Sequence, residues 1–119
     1  PVWWFGPPAI LKGWVDQVLV HGVAIEQQPA GSPQPLLRGR RALLIQTLNA
    51  PRVADSLLMR GMATQFWKRA VFISTGIELA ERIALHEVEG IEPRDVEAAE
   101  GKIREAVRRL ASSVQSSVE

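Results

Sequence analysis

The sequence predicts an α/β chain whose strands run parallel in a doubly wound sheet, with the chain forming one part of a larger sheet. Three observations carry this reading. Segments of strand character and segments of helical period alternate along the 119 residues. The apolar run at residues 42–47 is continuous rather than alternating, as in strands covered on both faces. Two full strands and a strand end are too few to bury helices on both sides of a complete sheet.

The opening residues Pro1, Val2, Trp3, Trp4, Phe5 and Gly6 are apolar and close on glycine, so they read as the end of a buried strand whose start lies elsewhere. Pro7 and Pro8 stop that strand, and Pro8 suits the first turn of a helix, where its absent N–H would be unpaired anyway. Ile10, Leu11, Trp14, Val15, Val18 and Leu19 recur at steps of three and four, which predicts an amphipathic helix to about His21 with Gly22 as its cap. Residues 26–39 are rich in Gln, Pro, Gly and Ser, sustain neither period, and predict a surface loop. Arg38, Arg40 and Arg41 read most simply as a solvated cluster before the strand at 42–47, although in a cofactor enzyme such a cluster could meet a phosphate.

Turn chemistry follows at residues 48–52, with Asn49 and Pro51, and a helix is expected from about Ala54 to Arg60, interrupted at Gly61. The run 63–77 has Phe66, Trp67, Ala70 and Ile73 at helical spacing and Gly76 as a terminal cap; residues 71–73 would also suit a strand, and helix is preferred. Residues 81–88 alternate as a half-buried strand whose charges suggest a sheet edge. Pro93 then opens a last helix with Val96, Ala99, Ile103, Val107, Leu110 and Val114 in one stripe, and Glu100–Arg104 and Glu105–Arg109 as exposed pairs. The whole reads as a single partial domain, 1–119, with the Ser-rich tail 112–119 fraying.

Charge and composition narrow the function. Fourteen Lys and Arg stand against 13 Asp and Glu, a formal charge of +1, which gives no electrostatic reason to expect nucleic acid. No apolar stretch is long enough to insert across a membrane, and the absence of cysteine removes disulfides, thiolate metal sites and a cysteine nucleophile, so a cytoplasmic address is the default. His21 and His86 have no second histidine or carboxylate at ligand spacing, so no metal is assigned. Trp14 and Trp67 are read as core or dimer-interface residues, whereas Trp3 and Trp4, in a post-strand loop beside Gly and Pro, have the better claim to a functional role.

Residues 1–16, with Trp4-Phe5-Gly6, then Pro8-Ala9-Ile10-Leu11-Lys12-Gly13-Trp14 and the acidic Asp16, closely resemble the segment after the third strand of the flavodoxin-like NAD(P)H:quinone oxidoreductases. That family includes DT-diaphorase, bacterial modulators of drug activity and ancillary subunits of potassium efflux systems. Weaker resemblance continues through residues 37–47, the helix ending at Gly76 and the last strand and helix. It implies the C-terminal half of a flavodoxin-like sheet that lacks the N-terminal phosphate-loop strand.

Further implications concern the site. Ligands of doubly wound sheets sit outside the carboxyl ends of the strands. By the resemblance, Trp3, Trp4, Phe5 and Gly6 match the loop that in the family faces a flavin, FAD or FMN, and Thr47, Leu48, Asn49 and Ala50 the loop that binds its polar edge through the backbone. NAD(P)H would be co-substrate, a quinone-like small molecule the acceptor, and a homodimer the assembly. The Tyr and His that better-known members place in the region of residues 55–61 are replaced here by Asp55, Ser56, Arg60 and Gly61, so the catalytic residues are unassigned. Arg60 could stabilise an anionic reduced ring by charge. The alternative is a truncated or regulatory, non-catalytic chain that keeps the scaffold without the redox site.

Overall fold

The computed structural model describes residues 1–115 of the chain. Its centre is a parallel pair of strands, β3 (Arg41–Thr47) and β4 (Glu78–Leu85). They are preceded by helix α1 (Ala9–Val18) and a hairpin of β1 (Ile25–Glu26) and β2 (Gln34–Pro35), and followed by the long helix α3 (Pro93–Gln115). The crossover between β3 and β4 holds a π-helical turn at Ala54–Leu58, the short helix α2 (Met62–Gln65) and a second π-helical stretch at Phe66–Ile73. The register runs from Arg41 opposite Glu78 to Thr47 opposite Leu85, with one irregularity between Ala42 and Leu43. Both strands therefore end at the same level.

Because side chains alternate along a strand, Ala42, Leu44 and Gln46 of β3 share one face. There Leu44 packs with Trp67, Val71 and Phe72 of the crossover, and Val15 and Leu19 from α1 and its end, Ile77 and Leu79 close around them. Trp67 meets Phe66 edge-on at 5.2 Å between ring centroids and lies 6.0 Å from Phe72, geometry that suits aromatic quadrupoles. On the other face α3 packs on β3 and β4 and buries Ala99 and Ala106.

Burial on both faces of β3 was expected from its continuous apolar run, and here the structure differs. Ile45 is 45% exposed, because α3 crosses the sheet without covering it. Trp67 is the core residue anticipated, whereas Trp14 is 51% exposed on the outer side of α1.

Several boundaries also move. α1 stops at Val18 rather than at His21, since Leu19 leaves helical geometry at φ −87° and ψ 54°. The Val20 carbonyl then accepts from the N–H groups of Val23 and Ala24, and Gly22, at φ 79°, serves that turn and not a helix cap. The expected loop at 26–39 contains the hairpin, with Ile25 opposite Pro35 and Glu26 opposite Gln34; proline is tolerated in so short an edge because it has no N–H to leave unpaired. β4 begins three residues before the expected strand, and residues 86–88 belong to the turn that follows it, where Glu87 stands at φ 54° before the 3-10 turn Val88–Gly90. α3 is helical through Gln115, so the fraying expected of 112–119 is not seen at its start, and its remainder lies outside the described residues.

The expected pair Glu105–Arg109 forms at 2.6 Å, while Glu100 and Arg104 make none among the described ion pairs. Arg109 also donates to Glu81 at 2.8 Å, tying α3 to β4. That hydrogen bond, above all, raises the Arg109 guanidinium beyond its ordinary value, with Glu105 adding to it.

Gly76 ends the crossover helix as anticipated: its N–H donates to the Phe72 carbonyl, and it adopts φ 83°. A Cβ there would fall 2.9 Å from Pro35 Cβ and 2.8 Å from Arg38 Cγ, with the Arg38 backbone nitrogen at 3.3 Å. Gly76→Ala is accordingly expected to lower the unfolding free energy by about 2–3 kcal/mol. Gly101→Ala, in the helical interior of α3 with nothing within 4 Å of its Cβ position, should raise it by about 0.5–1 kcal/mol. Urea unfolding of the two variants beside the parent measures both.

Candidate functional site

The site is assembled at the C-terminal end of β3. The Val2 N–H donates to the Thr47 carbonyl at 2.8 Å, laying the first residues alongside the end of the strand. Residues 3–6 then reverse direction: the Trp3 N–H donates to the Gly6 carbonyl at 3.0 Å and the Gly6 N–H to the Trp3 carbonyl at 2.9 Å. The two residues between, Trp4 at φ 49° and Phe5 at φ 56°, are both left-handed, as in a type I′ turn. Asn and Gly normally occupy such positions, because a larger L-residue costs roughly 1–2 kcal/mol there. Trp4 and Phe5 store that strain, and the turn holds the Trp4 ring outward, 97% exposed, beside Trp3 at 64%.

The second wall is the loop after β3. Leu48 is buried; its N–H donates to the Leu85 carbonyl at 2.8 Å, and its own carbonyl accepts from Val88 N–H at 3.3 Å. Asn49 turns its side-chain oxygen away to accept the Glu89 N–H at 3.2 Å. The side chain of Asn49 is thus spent on fixing the loop.

Between the walls lies an open cavity of about 340 Å³ lined by Val2, Trp3, Trp4, Phe5, Leu48, Asn49 and Ala50. Six of the eight residues singled out from sequence line it. The other two frame it, Gly6 by closing the aromatic turn and Thr47 by receiving Val2. The lining holds three aromatic rings and no ionisable side chain. Such a cavity suits a flat, uncharged heteroaromatic ring whose edge is met by backbone groups, and does not suit a phosphate. Arg60, at φ 49° and exposed, is not among the lining residues.

Sequence reasoning missed the polar cluster beneath this loop. Asp55, only 2% exposed, lies in the widened turn in which Met59 N–H reaches back five residues to the Ala54 carbonyl. Its Oδ2 accepts from Arg82 Nη2 at 3.0 Å and lies 3.1 Å from His86 Nε2. Arg82 Nε also donates to Gln46 Oε1 at 2.9 Å, which accepts the Thr64 hydroxyl at 3.0 Å as well. Asp55 Oδ1 is buried with no protein partner among the described residues. One signal was present: Gln46 is a lone amide within the apolar strand, and a buried amide needs partners. The partners themselves lie as far as 36 residues away.

His86 also lines a larger open cavity, about 510 Å³, between the end of β4 and α3, with Glu87, Asp95 and Lys102 among its walls. Among the described residues no three His, Cys, Asp or Glu side chains are grouped to hold a metal, and no helix is long and apolar enough to cross a membrane.

A family model described as the flavodoxin-like fold matches residues 1–111. Human ribosyldihydronicotinamide dehydrogenase (quinone) is 49% identical over 47 residues, which is 40% of this chain and 20% of that protein. FMN-dependent NADH:quinone oxidoreductase 1 of Jannaschia sp. (strain CCS1) is 46% identical over 44 residues, 37% of this chain and 22% of that protein. The crystal structure of Smu.1420 from Streptococcus mutans UA159 superposes with a TM-score of 0.69 at 25% identity, covering 92% of this chain and 55% of that one. The chain thus matches about a fifth of the curated relatives' length.

Asparagine tolerates positive φ and removes the exposed ring, so Trp4→Asn is expected to raise the unfolding free energy by about 0.5–1 kcal/mol. Denaturant unfolding reads this directly. A comparable loss would mean that the Trp4 ring packs in a way its exposure denies.

Proposed function

Because the chain belongs to the flavodoxin-like fold family, we propose that it forms the ring-binding part of a flavin-dependent NAD(P)H oxidoreductase that reduces quinones or similar acceptors. One observation carries this reading: two segments more than 40 residues apart converge on one uncharged cavity with three aromatic walls at the carboxyl end of a parallel strand. The names of the relatives, which are quinone-reducing dehydrogenases, point the same way.

Trp3, Trp4 and Phe5 offer apolar ring faces to the flavin, FAD or FMN. Within residues 47–50 the backbone of Asn49 and Ala50 meets its polar edge, because the Thr47 carbonyl and both Leu48 backbone groups are engaged by Val2 and the β4 end and hold the wall in place. A flavin held there would supply the redox chemistry, hydride transfer from NAD(P)H and then reduction of the acceptor in a ping-pong cycle. The strained aromatic turn contributes pre-organisation, so that little ordering is left to be done on binding.

A homodimer suits the surface. Ile10, Trp14 and Val18 lie open along α1, and the strained turn brings Trp4 out beside its start; apolar area of this extent normally seeks a partner.

The decisive measurement is an absorbance scan after incubation with FMN or FAD and desalting. Retained flavin bands are expected, with NADH or NADPH oxidation on adding a quinone, and a colourless protein overturns the reading. Trp4→Asn, although more stable, should weaken retention about tenfold, the equivalent of about 1.4 kcal/mol of lost aromatic contact. Light scattering should give the mass of two chains, and a monomer at micromolar concentration would remove the dimer.

A further inference from the structure

The cavity loop is closed into a ring by one side-chain contact. From Leu48 the backbone runs through Asn49 and Ala50 to Pro51, whose carbonyl accepts the Asp55 N–H at 3.1 Å. The Asp55 carboxylate then meets His86 Nε2 at 3.1 Å. From His86 the backbone passes through Glu87 to Val88, whose N–H returns to the Leu48 carbonyl at 3.3 Å. Glu89 N–H ties across to the Asn49 side chain at 3.2 Å. Every link but the Asp55–His86 contact is backbone or is bonded to backbone.

Two features show that this contact is more than packing. Glu87, between His86 and Val88, stands at φ 54°, a conformation that persists only when its surroundings hold it. Asp55 is buried with one oxygen unpartnered by protein, at a desolvation cost of about 1–3 kcal/mol. An apolar pair would close the corner at less cost but would not direct the turn. His86, with a side chain 12% exposed, is held at the end of β4 by this bond.

We propose that Asp55, acting through His86, is a positioning residue for the flavin-facing loop: it fixes the turn after β4, to which residues 48 and 49 are bonded, and so sets how tightly the cavity holds its ring. Arg82 has a different part. It neutralises Asp55 and links it to Gln46 of β3, so that the clamp is anchored in the sheet. The identity of the ligand rests on the flavin reading; the coupling between His86 and the loop does not.

Removing Asp55 outright would strand the Arg82 charge and threaten the fold, so the test is made at His86. Amide hydrogen exchange of the ligand-free protein is followed in the parent, His86→Ala, His86→Gln and Asp55→Asn/His86→Ala, with thermal unfolding to check that each is folded. In His86→Ala the Val88 and Glu89 amides should exchange about tenfold faster, while amides within β3 keep their protection. In His86→Gln, whose side-chain amide can donate in place of Nε2, most of that protection should return. Adding Asp55→Asn to His86→Ala should change the Val88 and Glu89 exchange little more, because the two residues act there as one unit, while the charge lost opposite Arg82 lowers the unfolding temperature.

Flavin titration by fluorescence should give a dissociation constant about tenfold higher for His86→Ala and near-parental for His86→Gln. Unchanged Val88 and Glu89 exchange in His86→Ala overturns the proposal, as does equal behaviour of the Ala and Gln variants. It also falls if the parent binds flavin and His86→Ala binds it equally well. If the parent binds none, the flavin reading fails, and the positioning role is decided by the exchange pattern.

Discussion

The parallel pairing of β3 with β4 is the constraint on which the rest depends. Parallel strands cannot be joined by a tight turn, so the chain must leave the end of β3, cross a face of the sheet and return to the start of β4. The returning segment supplies the core, since Trp67, Val71 and Phe72 all lie on it. The register then places Thr47 level with Leu85, and the loops leaving both strands emerge side by side. From that adjacency follow the bonds between Leu48 and residues 85 and 88, and with them a wall firm enough to face a ligand.

The site uses this firmness to hold backbone shapes that the local sequence disfavours. Trp4 and Phe5 are left-handed at one wall, and Glu87 behind the other. None of these residues is suited to its dihedral region, and each lies within a frame of hydrogen bonds that removes the alternatives. The fold's regular part stabilises the molecule, and its irregular part uses some of that stability to aim aromatic rings and carbonyl groups.

How much of this was legible in the sequence depended on the distance over which its cause acts. The helix α1, the strand β3, the interruption at Gly61 and the cap at Gly76 announce themselves through local period and local backbone chemistry, and apart from the shortened end of α1 they stand where expected. The cavity was legible because its walls are two contiguous segments, one of which carries a family motif. The hairpin at residues 25–35 was not, for two-residue strands are too short to show a period. The start of β4 was displaced because Glu78 pairs with Arg41 by register, which the alternation of residues 81–88 does not encode. The exposure of Ile45 depends on where α3 crosses, and the clamp joins Asp55 to His86 over 31 residues; neither fact has a local signature.

The placement of the four tryptophans gives the chain an optical reporter of its own. Trp67 sits in the apolar core beside two phenylalanines, whereas Trp3, Trp4 and Trp14 meet water. Indole emission shifts to shorter wavelength in apolar surroundings, so the native spectrum is a sum of one blue component and three red ones. Unfolding moves only the blue component, and a flat chromophore in the cavity quenches two of the red. Stability and occupancy can therefore be followed in the same cuvette without a label, each at its own end of the emission band.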